Sequence, residues 1–255
     1  MDVPYTERIV AFLDILGMRS LVSRIETDEL LLQNLHGALA HIKNQERYAS
    51  MDSTALSQME ISVFSDCIAI SVDPPKAPYV IMVCANLQNE LLLQGIAIRG
   101  GVTLGKTFHT KGVLFGAGIV RAHDIESKEA ETPRILIDES VVGLISQGVF
   151  SKFLDRDTDS RAIIDPMIDS PYIPGAADLA AEGYDPRHVF LSEVRKHIVD
   201  YISDSPDSRC KDKWLWLGSR FNLAKKRFPC YPNIEDITTA EQDETQQPLS
   251  AALFT

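Results

Sequence analysis

The segment Ile9-Val10-Ala11-Phe12-Leu13-Asp14-Ile15-Leu16-Gly17 decides how the rest of the chain is read. Five apolar residues run into one aspartate, and a glycine closes the segment before Met18 opens a helical stretch. A short apolar run bounded in this way fits a buried central strand. A carboxylate at the end of such a strand is costly unless a cation meets it. The segment Ile61-Ser62-Val63-Phe64-Ser65-Asp66-Cys67-Ile68-Ala69-Ile70-Ser71-Val72 repeats the arrangement. Ile61 and Val63 alternate on one phase before Asp66, and Ile68, Ile70 and Val72 on another after it. That change of phase predicts two strands folded at Ser65-Asp66. Together Asp14 and Asp66 make a candidate site for divalent metal. Taken singly, Asp14 also reads as a helix N-cap and Asp66 as an ordinary turn residue.

The 255 residues suffice for one large domain, or a domain with an appendage, around a sizeable core. A formal charge of -11 disfavours broad electrostatic contact with nucleic acid or an anionic membrane. It leaves room for a small anion held in a cleft by metal and local cations. No basic leader followed by an apolar core opens the chain, and no apolar run is long enough to span a bilayer, so a cytoplasmic protein is expected. Cys67, Cys84, Cys210 and Cys230 show neither CxxC spacing nor a dense framework, which predicts reduced, structural thiols.

Along the chain, Met18 to Arg24 reads as a short helix. Thr27 or Asp28 caps a longer one carrying Leu31, Leu35, Leu39 and Ile42. The polar stretch 44–57 reads as a loop or a frayed helix end. Tyr79 to Gln94 places Val80, Val83, Leu87 and Leu91 on one helical face, with Gly95 as C-cap. Ile96 to Gly105 reads as a strand and Lys106 to Leu114 as its hairpin partner. A helix from Ile119 to about Glu129, a strand over Pro133–Asp138 and a short helix with Val141, Leu144 and Ile145 follow. Helix–strand alternation interrupted by a hairpin predicts a mixed sheet with packed helices. Residues 1–150 form the expected core. Residues 151–233 form a C-terminal extension whose two helices, near Val189–Ile202 and Lys213–Phe228, complete the domain or a dimer. Residues 234–255 read as a flexible acidic tail.

In order and spacing these pieces resemble the catalytic domain of the class III nucleotidyl cyclases over Ile9 to Ile145. Asp14-Ile15-Leu16-Gly17 resembles that family's first metal-binding strand end, and Phe64-Ser65-Asp66 its second aspartate at a hairpin. Arg99-Gly100-Gly101-Val102-Thr103-Leu104-Gly105 resembles its glycine-bearing strand. Gly116, Ile119, Ala122, Ile125 and Glu126 fall at the spacing of its Gly-x-x-Val-Asn-x-Ala-x-Arg-Leu-Glu segment. Val120 stands where the family has asparagine, and Asp124 where it has the arginine that steadies the transition state. Ser62 and Val113 occupy the nearest base-reading positions and match neither the adenine nor the guanine pattern. With Pro133-Arg134-Ile135 and the late Trp214-Leu215-Trp216-Leu217…Phe221-Asn222 helix, this set is most similar to the bacterial Pycsar pyrimidine cyclases.

The resemblance implies an α+β fold with a mixed, mainly antiparallel sheet and a ferredoxin-like core. It implies conversion of UTP, or CTP, to the 3′,5′-cyclic monophosphate and pyrophosphate as a signal in anti-phage defence. It further implies a homodimer with shared active sites, two Mg²⁺ or Mn²⁺ ions per site, and a separately encoded effector that senses the cyclic nucleotide. Asp14 and Asp66 would bridge the ions, with the Ile15 carbonyl as a further ligand. Backbone amides around Leu16 and Gly17 would cradle phosphate, and Ser62 and Phe64 would meet the base. Arg121, one turn from Asp124, is the first candidate to replace the missing arginine, with Arg99, Lys106 and Arg134 as alternatives. Arg99 also reads as the partner of an acid. A non-catalytic nucleotide sensor on the same fold is the second reading. A dinucleotide cyclase is the third, and it lacks a Gly-Gly-Asp/Glu-Glu-Phe signature here.

Overall fold

The computed structural model describes residues 4–42, 59–110, 112–145, 152–167, 173, 175–204, 208–227 and 233–238. The stretch 44–57 and Cys230 lie outside them. The opening apolar run is the central strand β1 (Thr6–Ile15). Ile9, Ala11, Leu13 and Ile15 alternate onto one face and enter the main core. β1 pairs antiparallel with β3 (Cys67–Val72) on one side and with β4 (Ile98–Thr110) on the other. The sheet runs β2-β3-β1-β4-β6-β8-β7, with β2 at Glu60–Phe64, β6 at Ile135–Ile137, β7 at Leu154–Arg156 and β8 at Ala162–Ile164. A short β5 (Val113–Gly116) folds back on β4. Among the described residues β4 and β6 are the one parallel pair. The protein is therefore an α+β fold with a mixed, mainly antiparallel sheet and packed helices, as the sequence led us to expect.

Helices α1 (Met18–Ile25), α2 (Glu29–His41), α3 (Ala77–Leu92) and α5 (Glu139–Ile145) supply the other side of the main core. Asp28 is the cap of α2, accepting from the Leu31 amide at 2.9 Å, while the Thr27 hydroxyl turns back to the Arg24 carbonyl. A second core joins α7 (Pro186–Asp204) to α8 (Ser208–Arg227) through Phe190, Val194, Ile198, Leu217 and Phe221. Leu136 and Ile163 face away from the main core and meet Trp216, which lays α8 against that side of the sheet. A short α6 (Ala176–Ala181) precedes α7. Strands β7 and β8, within the expected extension 151–233, are part of the same sheet.

Three details depart from expectation. Lys106 to Thr110 continues β4 where a return strand was expected, and the hairpin comes after Thr110. Gly105 marks a close approach and no turn: a Cβ there would stand 2.7 Å from the Cα of Gly118, at the start of α4 (Ala117–Asp124). The helix expected to run to Glu129 ends at Asp124 and widens into a π-turn over Ile125–Glu129. The acidic tail expected from residue 234 begins docked. Ile234 and Ile237 are buried, and the Asn222 side chain bonds both backbone groups of Ile237 at 2.8 Å. Residues 239–255 lie outside the described residues.

Candidate functional site

Asp14 is the penultimate residue of β1, in a register that sets it opposite Cys67 on β3 and Arg99 on β4. Asp66 occupies the two-residue turn between β2 and β3. Ser65 takes the left-handed φ of 56° that lets so short a turn close. The Ile15 amide then donates to the Asp66 carbonyl at 2.8 Å, which pins the turn against the end of β1. Asp14, Asp66 and Cys67 each present a ligand atom, and these atoms lie within 4.8 Å of one another. The two aspartates singled out in the sequence thus meet, and their donor set fits a divalent cation. Carboxylate oxygens suit Mg²⁺ or Mn²⁺, whereas a thiolate is a softer donor.

The charge around this group is unbalanced. Arg99 Nε stands 3.4 Å from Asp14 Oδ2 and 2.6 Å from Glu126 Oε1, the latter an ion pair off the N–H axis. Glu126 comes from the π-turn, which can lie this close because Gly101 has no Cβ; one built there would meet Ile125 Cβ at 2.5 Å. Asp14 and Glu126 therefore share one guanidinium with Asp66 beside them, and among the described ion-pair contacts a surplus of negative charge remains. Burial raises the pKa of Asp14, Asp66 adds to the rise, and Arg99 opposes it. Burial likewise raises Glu126 against the pull of Arg99. The Cys67 thiol is pushed up to about 11 by burial and by the two aspartates, so it stays protonated at neutral pH unless a cation displaces the proton. Cys84 is fully buried, its thiol pushed up to about 12, and it is a structural residue.

Other residues singled out in the sequence divide between those at this group and those used elsewhere. Arg99 is at the group, held between two acids. Ile15 flanks it, with a buried side chain and its amide committed to Asp66. The Leu16 amide donates to the Ala97 carbonyl at 2.9 Å, which corrects its expected role in cradling phosphate. Gly17 stands at the N-cap of α1 with no side-chain cap bond. Ser62 shares a 2.9 Å hydrogen bond with His109 Nε2, and His109 Nδ1 another of 2.9 Å with Ser71 Oγ. Burial and the nearby Arg8 push His109 down to about 4, so this chain is neutral and the Ser62 hydroxyl is already partnered. Phe64, beside the turn, is 82% exposed. Arg121 is bonded by Glu129 and, at 3.0 Å, by Asp138; these acids, and not a developing phosphate charge, occupy its guanidinium. Arg134 is likewise taken, buried on Asp157 at 2.7 Å and Asp159 at 2.9 Å.

Three contributors escaped the sequence reading. Cys67 is adjacent to Asp66 and could have been found from that. Glu126 was visible only as a spacing residue. Lys213, far down the chain on α8, carries no local signal, yet its charge favours the ionised form of Asp14. Lys213 also lines a cavity of about 350 Å³ beside the end of β1. Its walls come from the Leu16-Gly17 corner, α1, the approach to β4, and the facing ends of α7 and α8. There Tyr201 stacks on Trp214 with centroids 4.1 Å apart and planes 3° from parallel, and Arg24 Nη1 donates to the Tyr201 hydroxyl at 2.6 Å.

Solved structures that this chain resembles include nucleotide cyclases and a cyclase-like protein. The monomeric guanylyl cyclase domain of the RhoGC fusion protein from the aquatic fungus Blastocladiella emersonii is 19% identical, with a TM-score of 0.44 over 62% of this chain and 94% of that one. A bacterial light-regulated adenylyl cyclase is 12% identical, with a TM-score of 0.41 over 77% of this chain and 58% of that one. A class III adenylyl cyclase-like ATP-binding protein from Pseudomonas aeruginosa is 13% identical, with a TM-score of 0.36 over 63% and 40%. Values of this size fix neither family nor activity. No protein-family model matches the chain, and no curated protein matches it. Among the described residues no helix is long and apolar enough to cross a membrane.

Proposed function

We propose that this protein is a metal-dependent pyrimidine nucleotide cyclase that converts UTP, or CTP, to the 3′,5′-cyclic monophosphate and pyrophosphate. The observation that carries the reading is the meeting of Asp14, Asp66 and Cys67 within 4.8 Å in a group with surplus negative charge. In the reaction the ribose 3′-oxygen bonds to the α-phosphorus, the bond from that phosphorus to pyrophosphate breaks, and the hydroxyl proton passes to water. Two Mg²⁺ or Mn²⁺ ions held there would activate the hydroxyl and clamp the triphosphate. Asp14 and Asp66 supply the hard oxygen donors, and the Ile15 carbonyl, next to Asp14 in the backbone, is placed in sequence to add another. Arg99 fixes the Asp14 rotamer, and Glu126 holds Arg99 in place. The pyrimidine assignment rests on the resemblance alone, in which Ser62 and Val113 match neither purine pattern. A homodimer, a cytoplasmic setting, and a separate effector answering phage infection belong to the same reading.

A sensor that binds nucleotide without turnover is favoured by one observation: Arg121, the first candidate for the missing cation, is bonded by two acids. Incubation of the purified protein with Mn²⁺ and an equimolar mixture of the four NTPs, followed by mass spectrometry, separates the readings. Cyclic UMP or cyclic CMP as the main product is expected. A purine cyclic nucleotide would defeat the pyrimidine assignment, and tight binding without product would favour the sensor.

A further inference from the structure

We infer that Cys67 makes the centre a trap for a thiophilic divalent cation, Zn²⁺, which binds through the Cys67 thiolate with Asp14 and Asp66 and switches turnover off. The switch rests on the cyclase reading; the binding does not. The placement of the sulfur argues first. Cys67 opens β3 directly opposite Asp14 on β1, so the two side chains leave the same face of the sheet. Its Sγ lies 3.7 Å from Asp66 Oδ1, and donor atoms of all three residues fall within 4.8 Å of one another. Zinc holds sulfur at roughly 2.3 Å and oxygen at about 2.0–2.2 Å, so the donors of a tetrahedral site sit roughly 3.4–3.6 Å apart. The sulfur and the Asp66 oxygen already stand near that spacing. Cys67 is also only partly buried, whereas Cys84 is fully buried.

The donor chemistry argues second. Mg²⁺ and Mn²⁺ take oxygen ligands and leave a thiol aside, whereas sulfur selects zinc. On binding, the ion sheds water, the Cys67 S–H proton passes to solvent and a Zn–S bond forms, with no change of oxidation state. The charge argues third. Asp14 and Glu126 share Arg99, and Glu126 is 3% exposed with an Oε1 that accepts no hydrogen bond among the described residues. An ion that brings two positive charges and displaces one proton moves this group toward neutrality. The coordination argues fourth. A tetrahedral ion on three protein donors keeps one open position, too few for both a hydroxyl and a triphosphate, and it withholds both carboxylates from the ions that ring closure needs.

Titration of the metal-free protein with Cd²⁺, a spectroscopic stand-in for Zn²⁺, tests the binding through the ultraviolet charge-transfer band of a cadmium thiolate. A saturable band that Zn²⁺ displaces is expected. Cys67→Ser and Cys67→Ala, each checked for folding by circular dichroism, should lose it, and Asp66→Asn should weaken Cd²⁺ binding by about tenfold or more. Zn²⁺ affinity should fall by about tenfold or more in Cys67→Ser, with Mn²⁺ affinity changed by less than about threefold. In turnover with Mn²⁺, added Zn²⁺ should stop the wild type and spare Cys67→Ser, each read against its own zinc-free rate. No band in the wild type, a band fully kept in Cys67→Ser, or unchanged Cd²⁺ affinity in Asp66→Asn overturns the site even if the protein is an active cyclase. Equal zinc sensitivity of the two proteins overturns the switch. If no NTP is turned over but the band is lost with Cys67, the cation site stands and the cyclase reading falls with its switch.

Discussion

Two groups of acidic side chains among the described residues are treated in opposite ways. Beneath α8, Asp155 and Asp165 meet two arginines: Arg220 lies 2.5 Å and 3.5 Å from them, and Arg227 bonds both. Positive and negative groups are matched there, and the cluster fastens the C-terminal helices to the strands β7 and β8. At the end of β1, Asp14 and Glu126 pair with Arg99, Asp66 lies beside Asp14, and among the described residues Arg99 is the one cation in ion-pair contact with them. A matched buried cluster is complete within the chain, although replacing it with apolar packing could serve stability equally well. An unmatched one is finished only by a cation from outside, which is the mark of a site rather than of a fastening.

The contrast can be broken most directly at its acidic end. Asp14→Ala and Asp66→Ala are each expected to abolish Mn²⁺ binding and to lower product formation by at least about 10²–10³-fold while the protein stays folded. Calorimetry and circular dichroism on the same samples check both halves of that statement. Full activity in either variant would remove the two-aspartate mechanism. At the matched cluster the outcome should invert. Arg220→Ala leaves Asp155 and Asp165 short of a partner and is expected to cost about 3–5 kcal/mol in urea unfolding, with Mn²⁺ affinity unchanged.

A smaller effect separates the two kinds of partner around Arg99. Glu126→Gln removes one charge from the group without touching a metal donor, and Mn²⁺ affinity should fall roughly tenfold. The pH dependence gives the finest test. Asp14 and Glu126 titrate above their ordinary values of 3.8 and 4.5, so the folded protein holds these protons more tightly than the unfolded chain. Their contribution to stability is full below those ordinary values and is lost as pH rises through the raised ones. Metal-free protein should therefore lose stability over that interval relative to Asp14→Asn. Mn²⁺ should restore it, as read from urea midpoints with and without chelator.

Much of this was legible in the sequence where the signal is local. The apolar run before Asp14, the change of phase at Ser65-Asp66 and the spacing of Val80, Val83, Leu87 and Leu91 each reflect one element's own burial. What escaped depends on contacts between elements. Lys106 to Leu114 reads as a return strand until β4 is seen to run on to Thr110, with Gly118 lying over Gly105. Arg121 reads as a free helix cation until Glu129 and Asp138 are found on either side of it. Ser62 reads as a base reader until His109 arrives from the far end of β4. Ile234 and Ile237 lie in a stretch whose composition is that of a tail, and only the groove beside Asn222 gives them a place to dock.

The bond from the Ile15 amide to the Asp66 carbonyl has a consequence for how this centre tolerates change. Both partners are main-chain atoms, so the gap between the two acidic side chains is inherited from peptide geometry and is indifferent to which residues neighbour them. Surrounding positions are free to drift toward another substrate while the ion-holding pair keeps its separation. A proline at position 15, which has no amide hydrogen to give, would unpin the turn at Asp66 while the pairing of β1 with β3 still holds the strands together.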